Sequence, residues 1–274
     1  SAEERQEVLE GLWEEGDFKF MWGGFSDLLI NPAANEIASE FIRNKIRGIV
    51  KDPETAELLC PKCHPYGSKR PPIDTDYYVT FNRDNVSLVD IKKAPIQEIT
   101  PTGLRTEQVE YELDVLVYAT GFDAMTGALF GVDIRGRDGL ALNEKWAEGP
   151  RTYLGLATRG FPNLFIVTGP GSPSVLTNMI ISIEQHVEWI SDCISWLDEH
   201  QYSTIEAKTE AEQAWVDHVN AKAERTLFPS CNSWYLGANV PGKTRVFMPL
   251  LGFPGYVRRC DQVVENNYEG FVVQ

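Results

Sequence analysis

The chain has 274 residues, 43% of them apolar and 11% aromatic, with 22 Gly and 16 Pro, which excludes a disordered tail, a collagen and a coiled coil and is enough for roughly two domains of about 150 residues each. Forty acidic residues against 25 basic ones leave a formal charge of -15, a balance that repels phosphate backbones and anionic lipid and argues against nucleic-acid and membrane-surface partners. The longest apolar runs, residues 115–119 and 164–168, fall far short of the ~20 residues of a membrane span, and no secretory leader pattern opens the chain, so a soluble cytoplasmic protein is expected.

In chain order, the acidic stretch Ala2–Glu15 and residues 35–50, where Ile37, Phe41, Ile42, Ile46 and Ile49 recur near helical spacing, predict helices. Asp52 followed by Pro53 predicts a short third helix, with Asp as N-cap and Pro at the first helical position. Cys60-Pro-Lys-Cys63-His64 spells out the attachment pattern of a c-type haem and half of a zinc pair. Haem attachment needs an exported protein with a distal ligand, and structural zinc needs two more ligands at matching spacing. Neither is visible, and a single short pattern of this kind reads as an ordinary loop. Cys193, Cys231 and Cys260 stand alone and read as reduced structural thiols.

From Tyr66 the texture changes, and residues 77–81, 86–90 and 109–113 predict short strands rich in β-branched and aromatic residues. Residues 114–120 and 164–168 are nearly continuous apolar runs, the pattern of strands covered on both faces. The first ends at Gly121 and the second at Gly169-Pro170-Gly171. A helix is predicted over residues 177–199, with Ile180, Ile183, Val187, Ile190, Ile194 and Leu197 as the packed stripe. A strand, a glycine turn and a packed helix make the place where open α/β sheets hold cofactors, and also ordinary connection chemistry. A helix over 209–225, an irregular segment over 231–242 and a short strand over 246–249 complete the chain. His64, His186, His200 and His218 are scattered and suit surface or core-edge roles. The Gly-rich dinucleotide fingerprint, the nucleophile elbow, the P-loop and the His-Glu-x-x-His helix are all absent, which leaves a hydrolase reading weak.

Five blocks carry a more specific signal. They are Tyr66-Gly-Ser-Lys69-Arg70-Pro-Pro; the run from Asp74 through Tyr77-Tyr78 and Phe81-Asn82-Arg83 to Val86; Tyr118-Ala-Thr-Gly121-Phe122-Asp123; Gly169-Pro-Gly-Ser-Pro-Ser-Val-Leu-Thr-Asn-Met179; and Ser233-Trp234-Tyr-Leu-Gly237-Ala-Asn239-Val-Pro-Gly242-Lys243. In this order and spread from Tyr66 onward, the sequence resembles the flavin-dependent Baeyer–Villiger monooxygenases. The resemblance implies FAD, NADPH and O2 as cofactors and co-substrate, and insertion of one oxygen atom next to a ketone carbonyl to give an ester or lactone. It assigns Arg70 as the catalytic arginine, a permanent cation beside the activated oxygen and the developing oxyanion, and Lys69 as the contact to the NADP phosphate. Read without it, the pair is two solvated loop cations. Trp234 matches the tryptophan that closes over the nicotinamide ribose, or else is an aromatic anchoring its loop. Ser174, Val175, Leu176 and Thr177 match the substrate-pocket loop beside the flavin, with Met179 behind it. Gly169 and Gly171 line the flavin in the same reading. Gly121 and Asp123 match the link between the two nucleotide domains near the flavin, although Asp123 also reads as a turn cap.

The family's enzymes are about twice this length, and the FAD and NADP glycine fingerprints lie in the part not matched here. The expected fold is therefore α/β: parts of two Rossmann-like, three-layer nucleotide-binding domains with a helical insertion, the N-terminal half absent. Residues 1–65 are expected to form the helical insertion of the NADP domain, 66–113 the end of that domain and 114–274 the C-terminal part of the FAD domain. The expected partners are a small-molecule ketone, O2 and the missing N-terminal half. Two rivals remain open: a related flavin monooxygenase that oxidises nitrogen or sulfur, and a cofactor-free fragment inactive without its other half.

Overall fold

Ser1 opens the first helix by accepting a hydrogen bond from the Glu4 amide while the Glu4 carboxylate reaches back to the terminal amine, a capping box over α1 (Ala2–Glu15). After the short α2 (Lys19–Gly23), helix α3 (Pro32–Ile49) starts where the Asn31 side chain accepts from the Ala33 amide and Pro32 presets the first turn. Helix α4 (Pro53–Leu59) repeats the device, the Asp52 carboxylate accepting from the Thr55 amide, as its sequence predicted. The computed structural model describes all of residues 1–274, which divide into two compact units, Ser1–Gly121 and Phe122–Gln274.

The first unit has two small cores. Leu9, Phe20, Leu28, Ala38 and Phe41 form one, with Trp13 and Tyr66 packed against it. Phe20 stacks on Phe41 at 5.5 Å and takes Tyr66 edge-on at 5.5 Å. Ile46, Val50, Ala56 and Cys60 form the other, under Tyr78 and Phe81. The segment 77–81 is not the expected strand but a single helical turn, α5 (Tyr77–Thr80), because the Asp74 carboxylate accepts from the Tyr77 amide and the Thr80 hydroxyl turns back to the Asp76 carbonyl. Residues 86–90 also form no strand. The strands present are an antiparallel meander, β1 (Ile96–Thr100), β2 (Gly103–Thr106) and β3 (Glu110–Glu112), with Ile99 opposite Leu104 and Leu104 opposite Tyr111. The run 114–120 is not a covered strand in this chain. Val115 is 75% exposed and Val117 78%, because no segment offers it a hydrogen-bonded ladder or an apolar cover.

In the second unit α6 (Gly127–Phe130) and α7 (Leu142–Lys145) precede a long irregular but buried stretch. Three longer helices follow, α8 (Met179–Glu199), α9 (Thr209–Glu224) and α10 (Phe253–Glu265), together with a two-stranded antiparallel sheet, β4 (Ile205–Ala207) with β5 (Phe271–Val273). Neither 164–168 nor 246–249 is a strand. Each makes isolated backbone bonds, Ile166 N–H to the Leu156 carbonyl at 2.8 Å and Met248 N–H to the Tyr235 carbonyl at 3.0 Å, without a ladder neighbour to extend them. The buried face of α8 also differs from expectation. Ser182, His186, Trp189, Cys193 and Leu197 face the core, whereas Ile180, Ile183, Val187 and Ile194 are exposed. Two buried carboxylates tie the irregular stretch down. Glu206 pairs with Arg137 and Arg159 and accepts from the Gly160 amide, and Glu212 pairs with Lys145 and accepts from Thr158 and the Arg159 amide. No helix is long and apolar enough to cross a membrane.

Candidate functional site

In the first unit the two candidate cations sit on a loop whose start is fixed from α3. The Asn35 side chain, 3% exposed, donates to the Leu28 and Tyr66 carbonyls at 2.9 Å each and accepts from the Tyr66 amide at 2.9 Å and the Ser39 hydroxyl at 3.1 Å. Ser68 is buried next in line and its hydroxyl donates to the Pro65 carbonyl at 2.7 Å. Lys69 emerges half-buried and Arg70 exposed, with the Arg70 guanidinium 5.0 Å above the Phe18 ring. Burial, then the Lys69 charge, hold the His64 imidazole below its ordinary pKa. His64 Nδ1 lies 3.3 Å from Cys63 Sγ. Cys60, by contrast, is buried in the second core, where its thiol lies 3.7 Å from the Arg43 carbonyl and burial pushes its pKa up. The two cysteines of the haem-like pattern thus occupy different surroundings, and no group of three or more His, Cys, Asp or Glu is placed to hold a metal ion. Gly121, at the end of this unit, has φ +85, and a Cβ built there would meet nothing within 4 Å, so the backbone is open to a close approach.

In the second unit Asp123 does not cap a turn with its side chain. It forms an ion pair with Lys243, whose ammonium also donates to the Ala124 carbonyl at 3.1 Å, and Asn239 donates to the Phe122 carbonyl at 2.6 Å. The segment carrying Trp234 is thereby fastened to the 122–124 turn across more than a hundred residues of sequence. Trp234 itself is half-buried in a short 3-10 turn capped by the buried Ser233 hydroxyl, its ring 4.4 Å from that of Tyr235.

The Gly169–Met179 block divides in two. Its first part is packed inward: the Thr152 hydroxyl donates to the Pro170 carbonyl at 2.6 Å and the Trp215 indole to the Gly171 carbonyl at 3.0 Å. Gly171 has φ +86, and a Cβ there would stand 2.7 Å from Thr152 Oγ1; at Gly169 it would stand 2.4 Å from the Gly155 carbonyl oxygen. Both glycines are therefore required by contacts inside the chain. Ser174 is buried, its hydroxyl 3.8 Å from Met125 Sδ, while Val175, Leu176 and Thr177 are half-buried and Met179 is exposed. Asn178 caps α8 by accepting from the Ile180 and Ile181 amides.

One residue without a functional role in the sequence reading fixes this block from behind. His186, expected at the surface or core edge, is fully buried. Its Nδ1 accepts from the Thr168 amide at 2.7 Å, its Nε2 lies 2.8 Å from the Tyr256 hydroxyl, and that hydroxyl donates to the Leu154 carbonyl at 2.9 Å. The network assigns the proton to Nε2, and burial pushes the imidazole pKa down to about 4. Asn35 was missed in the same way. Its partner Tyr66 is 31 positions away, and no local pattern marks such a pair.

No family model matches the chain. A phenazine N-monooxygenase of Lysobacter antibioticus is 47% identical over 276 residues, which is 100% of this chain and 50% of that protein. A cyclohexanone 1,2-monooxygenase of an Acinetobacter species is 46% identical over 277 residues, again 100% of this chain and 50% of the relative. The chain thus spans about half the length of the curated relatives it matches. The solved structure of OTEMO in complex with FAD and NADP superposes with a TM-score of 0.95 at 44% identity, covering 100% of this chain and 51% of that one.

Proposed function

We propose that this chain, homologous along its whole length to the C-terminal half of the Baeyer–Villiger monooxygenases, contributes the cationic loop and the pocket loop of an FAD- and NADPH-dependent oxygenase acting on ketones. The observation that carries this reading is the match, over the entire chain, to a structure that holds both FAD and NADP. One atom of O2 enters the product as an ester or lactone oxygen, and the other leaves as water with the two electrons of NADPH and two protons. When bound, FAD supplies the oxygen-activating chemistry.

The chain's own residues do the rest. Arg70, exposed at the head of its loop, offers a permanent positive charge and several fixed N–H donors to an anionic oxygen. Its neighbour Lys69 suits a phosphate of NADP. Trp234, half-buried on a segment fastened to the 122–124 turn, presents an indole N–H donor for a ribose hydroxyl. The open backbone at Gly121 fits close approach of a flavin. Asp123 pairs with Lys243, and Gly169 and Gly171 shape the turn from which Ser174, Val175 and Leu176 line the ketone pocket and Thr177 and Met179 the flavin side of it. Free cysteines throughout fit a reducing compartment, the cytoplasm. The partner is the N-terminal half of the same enzyme. The exposed apolar side of α8, on a helix already buried along its other side, supports such a second cover.

The N-monooxygenase relative favours a second reading, oxygen transfer to a ring nitrogen. Arg70→Ala in the full-length enzyme tests the first, and the products of the native full-length enzyme test the second. Ketone oxygenation falls by about a hundredfold or more if the arginine stabilises charge developing at oxygen, with Arg70→Lys intermediate. Undiminished lactone formation overturns the role of Arg70, and N-oxide formed from a phenazine with no lactone from a cyclic ketone favours the second reading.

A further inference from the structure

Asparagine is a weak helix former and is costly to bury unless its amide is satisfied, yet Asn35 stands inside α3 at 3% exposure. The reason is at its side chain. A primary amide offers two donor hydrogens and an acceptor oxygen with two lone pairs, and all four are used, with both peptide groups of Tyr66, the Leu28 carbonyl and the Ser39 hydroxyl as partners. Holding both the N–H and the C=O of one residue fixes that residue's position and the direction in which the chain leaves it. Four residues further on lies Arg70, its guanidinium over the Phe18 ring.

We propose that Asn35 is a positioning residue for Arg70: it anchors the backbone of the loop at Tyr66, and Phe18 receives the guanidinium, so that the cation is held at one place before any ligand arrives. The inference rests on the role given above to Arg70. No other side chain duplicates the double contact of Asn35 with Tyr66, and neither Ala nor Gln at position 35 reproduces it, the first lacking the amide and the second carrying it one carbon further out.

Asn82 supplies a matched control. It makes the same kind of clamp in the same unit, donating to the Ile49 carbonyl and accepting from the Lys51 amide, both at 2.8 Å, but at the far end of α3. Hydrogen–deuterium exchange of this chain is measured for Asn35→Ala and Asn82→Ala. The expected result is exchange over residues 66–70 at least about tenfold faster in Asn35→Ala and unchanged in Asn82→Ala. Equal acceleration in both, or none in Asn35→Ala, overturns the proposal. Should Asn35→Ala fail to fold, Asn35→Asp keeps the acceptor half of the clamp and is expected to give an intermediate acceleration; native-like exchange in it overturns the proposal. In the full-length enzyme Asn35→Ala is expected to lower kcat about tenfold or more with the KM for ketone little changed, and Phe18→Leu to lower it less, with rescue by Phe18→Tyr. Faster loop exchange with undiminished kcat overturns the positioning of Arg70 by Asn35, whereas undiminished lactone formation in Arg70→Ala overturns the role of Arg70 itself, which separates the two failures.

Discussion

A histidine that accepts a backbone N–H at one ring nitrogen has to stay neutral, and that makes His186 a pH-dependent element of stability. Its folded pKa of about 4 lies below the ordinary 6.5, chiefly through burial. Between pH 6.5 and 4 the unfolded chain therefore binds a proton that the folded chain does not, and stability rises with pH across this window. The contribution is complete above about pH 6.5 and lost progressively down to about pH 4, amounting to about 3 kcal/mol at roughly 1.4 kcal/mol per pH unit. His186→Gln removes this component: chemical-denaturation curves at pH 4.5 and 7 are expected to differ less for the variant than for the native chain. An equal or larger pH difference in the variant would show that other groups set the slope.

At the scale of elements, α8 is the most informative. An apolar stripe on a helix is ordinarily buried, yet the apolar stripe of α8 is covered only on the Ser182, His186, Trp189, Cys193 and Leu197 side, while Ile180, Ile183, Val187 and Ile194 beside it are exposed. Substitutions on its two faces should therefore separate folding from association. Trp189→Ala is expected to cost about 3–5 kcal/mol of stability. Ile194→Glu, on the exposed side, is expected to leave stability within about 0.5 kcal/mol while reducing self-association by light scattering and weakening binding of an N-terminal half. A large loss of stability from Ile194→Glu would mean that this side is already covered within the chain. The irregular stretch before α8 depends on a different kind of support, the buried Glu206 and Glu212, whose cationic and N–H partners replace the solvent they lost.

For the whole molecule, the candidate flavin-facing residues lie in both compact units, Gly121 at the end of one and the Gly169–Met179 block in the other. The glycine fingerprints that grip dinucleotide phosphates are absent from the sequence. The chain purified by itself is therefore expected to be colourless, and to become yellow with bound FAD when co-produced with the N-terminal half of a relative such as the cyclohexanone enzyme. Visible flavin absorbance with one FAD per isolated chain would refute this.

What was legible in the amino-acid order is what neighbours along the chain decide among themselves. The caps at Asp52 and Pro53, the helices Ala2–Glu15 and Met179–Glu199 and the five blocks that point to the family all depend on residues a few positions apart. The tertiary structure alone decided which side of α8 is buried, that 114–120 and 164–168 form no strand in this chain, and that Asn35 and His186 anchor the backbone at Tyr66 and Thr168. Strand pairing and burial depend on which distant segment supplies the ladder or the cover, and an apolar run carries the same letters whether that cover is inside the chain or not.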